Sequence, residues 1–222
     1  MLMWWRGLLY PNEGARLILS ENKQSGFLSF LVILTCLGSI AYGLSMGLFT
    51  SWSAAFVTAL KAPLPSLCLA MIMVLPLYVH NGVHNDKIYV NASLRFIFYV
   101  LSANAITLLS LSPIACFITL TTSAQGYPVL VGIHIGLIAL AGLAAGVAGR
   151  ALWYGLIDAQ AQKKQRLFLF FLLLISGAVY IQLVWLFRPW VGSPGTSFTL
   201  FRAQDHSAVD AFIRLVQHLT SQ

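Results

Sequence analysis

Two imidazoles four residues apart, His80 and His84, with a carboxylate two positions further on at Asp86, form the most metal-like spacing in this 222-residue chain. On a helix both rings would share one face, as two nitrogen ligands of one metal require. The intervening Asn81-Gly82 pair is a turn signal and no second Glu or His follows, so His80 to Lys87 reads as a solvated loop, with metal binding the alternative. His134 is the one histidine within a long apolar run. An imidazole there suits haem ligation or a proton path, but either needs a second ligand or an acidic neighbour at the same depth, and the sequence supplies none. The expected role is a hydrogen-bonded structural histidine, with cofactor binding the alternative. Cys36, Cys68 and Cys116 fall in apolar segments and read as small buried hydrophobes.

Catalysis finds no other foothold. The acidic residues Glu13, Glu21, Asp86, Asp158, Asp205 and Asp210 all lie outside the apolar runs, no Ser or Cys has a His and a carboxylate near it, and there is no glycine-rich phosphate loop. The expectation is a non-enzyme without a cofactor. A net charge of +7 comes from Lys and Arg spread among segment ends rather than from a basic stripe interleaved with aromatics, which argues against nucleic acid.

The elements that carry these residues are membrane helices. Apolar residues make up 59% of the chain and charged ones 9%, too little polar material to cover a soluble fold. The apolar runs are long enough to cross about 30 Å of hydrocarbon as helices, where barrel strands would alternate over about ten residues. The fold class expected is an all-α integral membrane protein, a bundle of about five transmembrane helices with flanking interfacial amphipathic helices. The spans are placed at about 26–49, 62–80, 94–120, 127–149 and 167–187. Residues 1–25 read as a cytoplasmic, interfacial segment with Trp4 and Trp5 at headgroup depth, inserted by the first span rather than by a cleaved signal peptide. Trp52, Phe56 and Leu60, four apart, predict a second interfacial helix over 50–61, and Trp153 to Asp158 is expected to run along the interface. Residues 188–222 form an external segment ending in an amphipathic helix that starts at a capping box, Ser207 to Asp210.

Small residues mark where helices should meet. Gly43 and Gly47, with Gly38, Ala41 and Ser45 close by, form one seam in the first span. Gly132, Gly136, Gly142 and Gly146, with Ala139 and Gly149, form a second in the fourth, the natural mate of the first. His134 points away from that face. Asn104 in the third span needs a partner and should face a helix, and Pro76 should kink or end the second span. Past the fifth span, Trp185, Arg188, Pro189, Trp190, Gly192 and Pro194 combine ring anchors, a cation and helix-stopping residues at the bilayer edge.

Orientation follows from charge. Nine of the thirteen Lys and Arg flank the spans on the N-terminal side (Arg6, Arg16, Lys23, Lys87, Arg95, Arg150, Lys163, Lys164 and Arg166), against Lys61, Arg188, Arg202 and Arg214 on the other. The positive-inside rule predicts a cytoplasmic N-terminus and an external C-terminus.

At Ala41-Tyr42-Gly43-Leu44-Ser45-Met46-Gly47, at Ala59-Leu60-Lys61-Ala62-Pro63-Leu64 and at Arg188-Pro189-Trp190-Val191-Gly192-Ser193-Pro194, the chain resembles a group of uncharacterised bacterial multi-span membrane proteins. The resemblance implies a fold and a setting in the bacterial inner membrane and supplies no mechanism. Five spans with a cytoplasmic N-terminus also resemble the architecture of Yip1-like membrane proteins. With no ionisable pair inside the spans and two small-residue seams, the expected function is a non-catalytic accessory or scaffold subunit. It would bind membrane lipids and a larger membrane protein complex or further copies of itself. A small transporter or channel is the alternative.

Overall fold

The computed structural model describes residues 2–19, 25–84, 90–156, 159–188 and 190–192. Among them the regular structure is helical: α1 (Leu2–Leu9), α2 (Pro11–Leu19), α3 (Ser25–Gly47), α4 (Trp52–Lys61), α5 (Leu64–His84), α6 (Val90–Thr121), α7 (Tyr127–Leu156) and α8 (Ala159–Leu186), with a 3-10 turn at Ala124–Gly126. Five segments are long and apolar enough to cross a membrane: Gly26–Gly47, Trp52–His80, Val90–Thr121, Tyr127–Leu156 and Arg166–Leu186. This is the architecture of a multi-pass, all-helical membrane protein.

Helix α3 is the hub, and small residues make it so. A Cβ added at Gly38 would run into the Ala105 carbonyl of α6, so the two backbones touch there. One turn below, Thr35 and Ser102 meet across the same interface with their hydroxyl oxygens 3.2 Å apart. Thr35 donates to its own Leu31 carbonyl at 2.8 Å, and the Ser102 hydroxyl is shared between Leu31 and Phe98 carbonyls at 2.9 and 2.6 Å. Both side chains are fully buried and satisfied, as hydrocarbon demands.

On its other flank α3 receives α4. Ser51 caps α4, its hydroxyl accepting from the Ala54 N–H at 3.1 Å. Gly47 then meets Ala54 and Ala55, and Gly43 meets Thr58, Ala59 and Ala62, so α4 runs back antiparallel along α3. The helix expected over 50–61 is present as α4. Its small face (Ala54, Ala55, Thr58, Ala59) is buried on α3, while Trp52, Phe56 and Leu60 point outward, and through the Ala62–Pro63 turn it becomes part of the second spanning segment. Close backbone contact outweighs the apolar stripe, which serves as well against lipid as against an interface.

The expected mating of the two glycine seams is corrected. The first seam is saturated by α4 and α6, and added Cβ atoms at Gly132, Gly136, Gly142 and Gly146 would meet nothing within 4 Å among the described residues. Only Gly149 at the foot of that face touches a neighbour, Val100 of α6.

Helix ends run past their expected limits. Helix α5 continues through Asn81-Gly82 to His84 in place of a loop, because Asn and Gly cost a running helix only about 0.5–1 kcal/mol each. Pro76 lies inside it without ending it. Helix α7 continues through Leu152, Trp153 and Leu156, all buried, so the stretch from Trp153 is still helix as far as Leu156, and residues 157–158 lie outside the described residues. Trp153 is held between Phe96 and Phe168, with ring centroids 5.3 and 6.0 Å away.

The first residues make two helices instead of one. Ala15, Leu17 and Ile18 of α2 are buried against the ends of α6 and α7, and Trp4 and Trp5 pack on Phe30. Arg95 donates to the Leu17 and Ile18 carbonyls at 3.3 and 3.1 Å, placing a cation on the carbonyl end of α2, and Tyr99 donates to the Leu8 carbonyl at 2.9 Å. This end of the bundle is called basal here. The apical end carries the α3–α4 turn, the 3-10 turn and residues 190–192. The C-terminal amphipathic helix lies outside the described residues.

The fold separates two kinds of glycine experimentally. A Cβ at Gly43 would lie 2.6 Å from the Ala62 Cβ and 2.9 Å from the Thr58 carbonyl oxygen. Overpacking of that kind costs about 1–3 kcal/mol. Gly43→Ala is therefore expected to lower the unfolding midpoint in detergent. Gly142→Ala should leave it unchanged or raise it, since alanine is the better helix former. Equal losses at both positions would refute the packing described.

Candidate functional site

The apical half of the bundle holds a buried polar relay that three helices position. Tyr42 projects from α3, Thr119 from near the end of α6 and His134 from α7, and all three are buried. The Tyr42 hydroxyl lies 3.0 Å from His134 Nδ1, and Thr119 Oγ1 lies 3.1 Å from Nε2. Proton counting sets the directions. Thr119 has one hydroxyl proton and donates it to the Ala115 carbonyl at 2.7 Å, so toward His134 its oxygen accepts from Nε2–H. A neutral imidazole protonated on Nε2 then accepts at Nδ1, and the Tyr42 O–H supplies that proton. The chain of donors runs one way: Tyr42 to His134 to Thr119 to Ala115. The Tyr42 and His134 rings meet edge to face, with centroids 5.7 Å apart.

Beside the relay lies a partly open pocket of about 40 Å³ whose walls include Ser39, Tyr42, Met46, Tyr180 and Trp190. Tyr180, on α8, is directed toward the Ser66 and Asn104 side chains, so Asn104 faces another helix as its polarity requires. The Ser66 hydroxyl, on α5, is buried beside Tyr180.

Trp190 forms part of the pocket's wall. Its indole N–H donates to the Val184 carbonyl at 2.7 Å, and its own carbonyl accepts from Thr58 at 3.4 Å. The Lys61 ammonium lies 5.2 Å from the centre of its ring, in a side chain only 4% exposed. The strap continues to Val191, whose carbonyl accepts from Tyr127 at 3.4 Å, and to Gly192, which presses on Thr50 where a Cβ would collide. All three strings on which the family resemblance rests therefore contribute to one site: Tyr42, Gly43 and Met46 from the first, Lys61 and Ala62 from the second, Trp190 and Gly192 from the third.

The residues singled out in the sequence fare differently. His134 has both ring nitrogens committed to hydrogen bonds, so a ligand role would require breaking one. His80 stacks on Phe168 with ring centroids 3.3 Å apart. The side chain of His84 and all of Asp86 lie outside the described residues. Among the described residues no three His, Cys, Asp or Glu side chains converge as a metal site. Arg188 stacks its guanidinium on Trp185 at 4.1 Å, while Pro189 and Pro194 lie outside the described residues. Thr119, Ser66 and Tyr180 join the site without a signal in their spacing. Each is one ordinary residue in an apolar run, and only helix packing brings them together.

No family model matches the chain, and no curated protein or solved structure matches it.

The relay makes a stability prediction. Tyr42→Phe leaves His134 Nδ1 buried without a donor, at a cost of about 1–3 kcal/mol. Tyr42→Phe combined with His134→Leu removes both polar partners, so the pair is expected to cost less than the sum of the two single changes. Unfolding midpoints of the four proteins in one detergent measure this. Additive costs would mean the two side chains are not coupled.

Proposed function

We propose that this protein is a non-catalytic accessory or scaffold subunit of a larger bacterial inner-membrane complex, presenting α7 to a transmembrane helix of its partner. One contrast carries the reading. Where helices meet inside the chain, at Gly38, Gly43, Gly47 and Gly149, glycine is used for close approach, and the same residue recurs at Gly132, Gly136, Gly142 and Gly146 with no atom of the described residues within 4 Å of an added Cβ. Glycine is about 1 kcal/mol worse than alanine within a helix, so a row of it on an open face is explained by a second backbone that comes close. Ala139 extends this face, and Val129, Leu143 and Val147 flank it as exposed apolar side chains.

The N-terminus is assigned to the cytoplasm and the C-terminus to the outside, on the excess of Lys and Arg at the basal side. A small transporter or channel is the second reading, for which the hydroxyls of Tyr42 and Tyr180 in a mostly apolar pocket beside Trp190 are the observation.

Two measurements test the proposal. Gly136→Leu and Gly142→Leu, made in the full chain at matched membrane abundance, should keep the monomer's stability and lose the larger species seen by native mass spectrometry after gentle extraction. Retention of that species in both variants would remove α7 as the docking face. A larger species made only of this chain would replace the scaffold reading with a homo-oligomer. For orientation, Ser123→Cys is expected to react with a membrane-impermeant thiol reagent applied from outside, and Met3→Cys only after permeabilisation. The reverse pattern would invert the topology.

A further inference from the structure

We propose that one hydrocarbon chain of a bilayer lipid lies in a window between α7 and α8 and ends in the pocket beside Tyr42. The inference is independent of what docks on the outer face of α7.

The two helices face each other through matched rows. Ile138, Gly142, Ala145 and Gly149 follow at four- and three-residue steps on α7, and Leu173, Gly177, Tyr180 and Val184 do the same on α8, so each row shares one helix face. At the basal end the rows touch: a Cβ added at Gly149 would lie 3.8 Å from Leu173. The antiparallel register that sets Gly149 beside Leu173 brings Ile138 to Val184 at the apical end, and both of these line the pocket. Between those two points the rows do not close. Added Cβ atoms at Gly142 and Gly177 would meet nothing within 4 Å among the described residues. The helices thus leave an opening from the pocket to the outside, and Gly177 stands near the middle of the Arg166–Leu186 span. At that depth the surrounding medium is hydrocarbon, so what enters is a lipid chain.

The pocket suits the same occupant. Its walls at Met46, Leu108, Ile138 and Val184 are apolar, and the Trp190 ring adds to them. The two tyrosine hydroxyls it contains are engaged within the protein, Tyr42 on His134 and Tyr180 with Ser66 and Asn104. A water-sized group needs about 10–15 Å³, so about 40 Å³ holds roughly three of them, enough for the end of a chain and too little for a head group. Walls with nothing against them forfeit dispersion contacts, and a flexible alkyl chain restores those without needing a polar partner.

The test uses the purified chain in nanodiscs of a phosphatidylcholine that carries a diazirine on one acyl chain, so that no partner protein competes. Met46 and Met73 are both buried, and only Met46 borders the pocket. After photolysis, peptide mass spectrometry is expected to find lipid on Met46 at several-fold the level on Met73. Equal labelling of the two, whether low or high, would overturn the proposal.

A second variant tests the route. Gly177→Phe puts a ring in the window from α8, away from the α7 docking face. Labelling of Met46 should fall several-fold, while labelling of Leu143, exposed on α7, stays as it was. Undiminished labelling of Met46 would show that no chain passes between α7 and α8, and would overturn the proposal too. The comparison of Met46 with Met73 in the unaltered chain stands whether or not that variant folds.

Discussion

The constraint on which the rest of this molecule depends is how closely α3 can be approached. Hydrocarbon gives two apolar helices little reason to associate, so the gain must come from dispersion at short range and from polar groups that find each other. Gly38, Gly43 and Gly47 remove the side chains that would hold neighbours away, and α6 and α4 come down to backbone contact on two flanks of the same helix. Everything apical follows from this. With α4 laid along α3, Lys61 is carried into the bundle and Thr58 is set where it can hold the Trp190 carbonyl.

Close approach has an electrostatic counterpart. Buried hydroxyls and an imidazole are tolerable in such a bundle only where their protons are matched, and the match can be followed atom by atom. Ser102 and Thr35 turn their hydroxyls back on helix carbonyls at the α3–α6 contact. His134 is satisfied on both nitrogens by residues from two other helices, which ties α7 to α3 and α6 through one ring. At the basal end Arg95 does the comparable work for α2, bringing a buried cation to carbonyls that the helix itself leaves without partners.

Packing is uneven around the bundle. Among the described residues α3 is the most buried of the five candidate spans and α8 the least; α8 touches chiefly α5 and α7 and directs Leu167, Phe170, Leu174 and Ile181 outward. The open glycine face of α7 belongs to this less enclosed side, and the large side chains beside it are what lipid accepts without preference. A lipid-facing surface requires bulk and apolarity but not glycine, which is why that face is where an interaction role for this chain is sought.

Much was legible from the residues alone, for a physical reason: crossing a bilayer demands long apolar runs, and composition displays those directly. The five apolar stretches, the separate face of His134 and the need of Asn104 for a neighbour could all be read from residue type and helical spacing. Small-residue spacing also marked which helix surfaces permit close contact, but not which helix would take the place. Gly43 and Gly47 were as compatible with α7 as with α4, because a glycine seam has shape without identity. The turn at 48–51 decided the matter by folding α4 back on α3. Similarly, Asn81-Gly82 carried a turn signal that helix continuation overrode, since the local penalty is small beside an established hydrogen-bond ladder. The polar site lay furthest from view. Tyr42, Lys61, Ser66, Thr119, His134, Tyr180 and Trp190 are scattered through the sequence, and their common address exists only once six helices and the 190–192 strap have packed, because hydrogen bonds between helices depend on distances that no single helix contains.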